Sequence, residues 1–70
     1  MSLNVRFYAA RKAAHLSQAV LARAVGVSQG DISRIEQKGW IPPQEVRDAL
    51  ADALTVPVEE LFNLEPKIAW

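Results

Sequence analysis

Seventy residues with no cysteine and a formal net charge of zero describe one small domain, without room for a catalytic unit plus a regulatory one. Half of the residues are hydrophobic and 23% are charged, a globular balance, and a chain of this size buries only roughly 60% of the surface it exposes unfolded. The lack of cysteine excludes disulfide staples, thiolate metal sites and cysteine nucleophiles, so stability must come from tight helix packing or from a partner chain.

Periodicity and punctuation predict five helices and no strand, an all-α fold. The first helix is expected over 3–14, with Leu3, Phe7, Ala10 and Ala14 on one stripe. Ser17 is a good N-cap for a second helix over 18–25, whose buried stripe is read as Leu21, Ala24 and Val25, with Ala22 small enough for a close crossing. Gly26 stands where the chain must turn left-handed at little cost. Ser28 opens a third helix reaching about Gln37, with Ile32 and Ile35 inward. The segment Lys38-Gly39-Trp40-Ile41-Pro42-Pro43 reads as a loop, since its prolines block a helix and Pro43 suits the first turn of the next one. The fourth helix spans 44–54 with Val46, Leu50, Ala53 and Leu54 inward. A short fifth, 58–62, follows the break at Thr55-Val56-Pro57 and carries Glu59 and Glu60 at its positive dipole end. These elements make a domain over 1–62 and a C-terminal tail over 63–70.

The zero net charge conceals a segregation. Residues 1–40 hold six basic side chains (Arg6, Arg11, Lys12, Arg23, Arg34, Lys38) against two acidic ones, and residues 41–70 hold two against six. Such asymmetry suggests one end that meets a polyanion and another that is solvated or meets a protein.

Gln18 to Glu36 is the informative stretch. Two short helices separated by only Val25-Gly26-Val27-Ser28 cannot run antiparallel, so they cross steeply and the second presents its outer face. The run Leu16-Ser17-Gln18, Leu21-Ala22, Val25-Gly26-Val27-Ser28 and Ile32-Ser33-Arg34-Ile35-Glu36 resembles the Cro and phage-repressor type (XRE-like) helix-turn-helix family. The likeness continues through Ala51, Ala53-Leu54, Val56 and Glu60-Leu61-Phe62, without a gap over about 5–62.

The resemblance implies a compact five-helix repressor-like DNA-binding domain, with the helix from Ser28 to Gln37 in the major groove and the preceding helix across the phosphate backbone. It assigns base reading to Gln29, Ser33 and Arg34, and phosphate contacts to Ser17, Gln18, Ser28 and Lys38. Gly30 has no side chain to read with, but lets the backbone come close to the groove. Arg11 and Glu36 match a pair that ties the first helix to the recognition helix. The residue chemistry agrees: glutamine matches adenine through both amide groups, and arginine matches guanine through its fork.

Three features depart from the family. Gly30 weakens the recognition helix by about 1 kcal/mol relative to alanine. Asp31 places a negative charge near phosphates, although Ser28-Gln29-Gly30-Asp31 also has the spacing of a capping box, which is the preferred reading. Lys38 alone remains as a basic residue in the following loop, so affinity from counterion release should be modest.

Enzymatic readings fail on inventory. There is one histidine, no glycine-rich phosphate loop after a strand, and no carboxylate pair in an evident cleft; Asp48 and Asp52 are read as solvent-facing. His15 is expected to serve the negative end of the first helix, and no metal or cofactor is expected. No apolar run is long enough to span a membrane and no signal peptide is apparent, so a cytoplasmic location is expected. Val20, Trp40, Ile41, Ile68 and Trp70 lack a core position, which suggests a homodimer through the C-terminal region or a protein partner. The functional expectation is thus sequence-specific binding of double-stranded DNA by a small transcriptional regulator, with a repressor as the preferred form. The alternative is a protein-interaction module of the same fold, antitoxin-like, with little DNA affinity.

Overall fold

Asn4 serves three partners at once. In the computed structural model, which describes residues 3–62, its Oδ1 accepts the Phe7 N–H at 2.9 Å and so caps α1 (Val5–Ala13). Its Nδ2 donates to the Leu61 carbonyl at 2.9 Å, and its backbone N–H donates to the Glu36 carbonyl at 3.0 Å. The cap therefore welds the start of α1 to two later segments. It also shifts the helix start from the expected Leu3, which lies outside the helix and is 58% exposed.

The remaining elements are α2 (Gln18–Val25), α3 (Gln29–Lys38), α4 (Gln44–Leu54) and α5 (Val58–Phe62), with no strand among the described residues. Each of the two central helices is opened by a serine. Ser17 Oγ accepts the Val20 N–H, and Ser28 Oγ accepts the Asp31 N–H, both at 3.1 Å. Asp31 returns the bond to the Ser28 N–H, completing the capping box. Gly26 (φ 79) and Gly39 (φ 69) close α2 and α3 in the left-handed region, where a Cβ is penalised. Thr55 closes α4 in the same region at φ 58, a conformation costly for a β-branched residue.

Burial then joins the helices. Phe7, Leu21, Ala22, Ile32, Ile35, Leu50, Leu54, Leu61 and Phe62 form one core, with Val25, Val46, Ala51 and Trp40 half-buried against it. The Phe7 and Phe62 rings meet at a centroid distance of 5.9 Å and bring α5 onto α1. Two expected stripes each contain one residue that the structure turns outward, while Ala22 is buried as a close crossing requires. In α2 the core face is Leu21, Ala22 and Val25, and in α4 it is Leu50, Ala51 and Leu54. Both helices bury the i, i+1, i+4 side, so Ala24 and Ala53 at i+3 turn to solvent. Ala14, also expected inward, is the exposed C-cap of α1. Pro42, read only as a helix breaker, is fully buried, and Arg47 Nη1 donates to its carbonyl at 3.1 Å. Pro43 is the N-cap of α4 rather than a first-turn residue. Ile68 and Trp70, with the rest of the tail, lie outside the described residues.

Candidate nucleic-acid interface

A buried ion pair holds the helix-turn-helix on its base. Arg11, near the end of α1, and Glu36, near the end of α3, are each only 7% exposed. Arg11 Nε and Nη2 reach the two Glu36 carboxylate oxygens, a bidentate pair, and Nη1 donates to the Leu16 carbonyl at 2.8 Å. The hydrogen bond to Glu36 holds the guanidinium even more firmly protonated than usual, against the opposing effect of burial. Among the described residues no buried side-chain polar atom lacks a partner, which is the condition for an internal charge pair to be tolerated.

The pair extends outward. Gln18, the first residue of α2, donates from Nε2 to Glu36 Oε1 at 3.0 Å, and Gln29, the first residue of α3, donates from Nε2 to Gln18 Oε1 at 3.4 Å. The direction follows from chemistry. An ionised carboxylate only accepts, so Gln18 meets it with nitrogen and turns its oxygen toward Gln29. Gln29 therefore spends one N–H on Gln18 and keeps its oxygen and a second N–H free at the surface.

Gln29, Gly30 and Arg34 are exposed on α3, and Ser33 is half-buried beside them. Arg34 is not loose. Its Nη1 lies 3.5 Å from Asp31 Oδ1, and its guanidinium carbon stands 4.5 Å from the Trp40 ring centroid. Lys38 is exposed at the end of α3. Ser17 and Ser28 each commit a lone pair to a helix cap, yet a hydroxyl keeps its proton for a further acceptor. Arg11, Lys12, His15, Ser17, Gln18 and Gln29 contribute to one open hollow of about 690 Å³ between the end of α1 and the starts of α2 and α3. His15 itself is exposed with φ 59, at the turn after α1.

The six basic residues of the first forty are thus not a single patch. Lys12 lies beside Gln18 and Gln29, and Arg34 and Lys38 are on α3. Arg11 is consumed by Glu36, Arg23 is exposed in the last turn of α2, and Arg6 faces Val56, Glu60 and Leu61 on the α5 side. Sequence reasoning missed the Arg34–Asp31–Trp40 cluster. Its i, i+3 charge spacing was visible, but the return of Trp40 depends on the turn at Gly39.

Five helices among the described residues, with a capped pair joined through Gly26 and polar side chains of the second of that pair at the surface, define a helix-turn-helix protein. The chain belongs to that family: the model of the helix-turn-helix domain matches residues 5–64. Its general activity is DNA binding. No curated protein matches the sequence. No described helix is long and apolar enough to cross a membrane.

Proposed function

We propose that the domain is a sequence-specific double-stranded DNA-binding protein, a small transcriptional repressor that lays α3 in the major groove. One observation carries this reading: the hydrogen-bond chain from the buried Arg11–Glu36 pair through Gln18 to Gln29. It leaves Gln29 with one acceptor and one donor, the complement of the N6 amine and N7 of adenine. In this reading Gly30 allows close approach, Ser33 and Arg34 read neighbouring edges, and Arg34 offers guanine its fork. Ser17, Gln18, Ser28 and Lys38 hold phosphates, helped by the free N–H groups of a helix start.

The protein acts in the cytoplasm without catalysis of its own. It works as a homodimer through its C-terminal region on half-sites about one helical turn apart. The exposed Leu3, Val5 and Ile41, which line a hollow with Phe62, support an apolar interface there. A second reading, an antitoxin-like protein-interaction module, draws support from Asp31, whose carboxylate already occupies Arg34.

Selection from a random duplex pool at stated salt separates the two. The DNA reading expects a preferred sequence containing an A·T pair whose preference is lost in Gln29→Ala. A pool that never narrows would sink it and favour the protein partner.

A further inference from the structure

Arg34 and Trp40 are six residues apart and belong to different local structures, yet one stands over the other. The turn explains how. Gly39 in the left-handed region reverses the chain, and the N–H groups of Gly39 and Trp40 both return to the Arg34 carbonyl, the latter at 3.3 Å. The same backbone oxygen thus anchors the segment that carries the indole. Trp40 packs half-buried against the core, so its ring has a fixed seat, whereas the Arg34 side chain is 58% exposed and has none of its own.

A guanidinium presents two kinds of surface. Its face stacks on an aromatic ring, and its edge carries the N–H groups that make hydrogen bonds. The guanidinium carbon lies 4.5 Å from the Trp40 ring centroid, within reach of a face contact, and a face contact requires none of the edge donors. Asp31 accepts from Nη1 alone and leaves Nη2 and Nε unspent. An arginine free in solvent loses rotamer freedom on docking, and a side chain already held against a ring has less to lose.

We propose that Trp40 is a positioning residue for DNA readout: its indole presets the Arg34 guanidinium with its donor edge free to read a guanine, so the ring contributes to sequence preference without touching a base. The proposal rests on the reading of α3 as the groove helix. The bland alternative is that Arg34 only shields the ring from water.

The test uses the full chain and two duplexes: the one selected from the random pool, and the same duplex with the Arg34-dependent base pair exchanged. Trp40→Leu keeps apolar packing and removes the stacking face, Trp40→Phe keeps a weaker face, and circular dichroism checks that each folds. Trp40→Leu is expected to lower the ratio of affinities for the two duplexes about two- to fivefold, with binding to the exchanged duplex unchanged. Trp40→Phe should fall between, and it carries the test should the leucine variant not fold. Adding Trp40→Leu to Arg34→Ala should cause no further loss of preference. An unchanged ratio, equal weakening on both duplexes, or additive losses in the double variant overturns the proposal and leaves the groove reading standing. Arg34→Ala with its preference intact, or a pool that yields no site, overturns the groove reading of Arg34 and the proposal with it.

Discussion

Glu36 accepts from Arg11 and from Gln18, so one carboxylate serves both the fold and the surface. Arg11→Met leaves it buried with only the Gln18 amide, and a charge stripped of its partner inside a protein costs several kcal/mol. We expect a loss of about 3 kcal/mol, at the low end for such sites because Gln18 still donates, measured by urea denaturation. The double variant Arg11→Met with Glu36→Leu should recover most of that stability, since no orphan charge remains. It should nevertheless lose preference at the A·T pair assigned to Gln29, because nothing then orients the Gln18 amide. Full preference in a stable double variant would show that the buried pair does not control the surface glutamines. Lys38→Ala belongs to a different class. A phosphate contact carries no sequence information, so it should weaken all duplexes alike and reduce the salt slope by roughly one unit.

At the scale of the element, α3 combines a strong start with a weak second position. The Ser28–Asp31 capping box secures its first turn, while Gly30 within that turn forgoes helix propensity. A Cβ at Gly30 would meet only Ser28 Oγ, at 3.7 Å, which is ordinary contact. Gly30→Ala is therefore expected to stabilise the isolated protein by about 0.5–1 kcal/mol, raising Tm by several degrees in a scanning calorimeter. Affinity for the selected duplex should fall in the same variant, because in the proposed docking the added methyl would stand between the backbone and the groove. A variant more stable and equally tight on DNA would remove Gly30 from the readout surface. The serine caps and Gly26 were legible in the sequence because they act on atoms a few residues away. Ala22 is legible as the residue of a close crossing, whereas Ala24 and Ala53 are read inward and face solvent, since the choice between i+1 and i+3 is made by the neighbouring helix and not by periodicity. Asn4, Pro42 and Trp40 were not legible in their roles, because their partners Leu61, Arg47 and Arg34 are brought to them by turns and tertiary packing.

For the whole molecule, charge placement sets the approach to DNA more than net charge does. Glu45, Asp48 and Asp52 are exposed on α4, and Glu59 and Glu60 on α5, while α3 and the end of α1 carry Lys12, Arg34 and Lys38 at the surface. With a neutral sum, the placement of these side chains is what can guide an encounter, and we expect a polyanion to approach past Lys12, Arg34 and Lys38 rather than over the acids of α4 and α5. Replacing the three α4 acids by Glu45→Gln, Asp48→Asn and Asp52→Asn raises the formal net charge from zero to +3 without altering α2 or α3. Association with any duplex should quicken, for the selected sequence and an unrelated one alike. The gain should be large near 50 mM salt and small near 0.3 M, where the screening length falls below about 8 Å. Dissociation from the selected duplex should hardly change, because short-range contacts rather than the distant field hold the complex. Stopped-flow mixing at the two salt concentrations measures both rates. A rise confined to the selected sequence would place α4 in the readout, and no rise at either salt would mean that its acids do not shape the encounter.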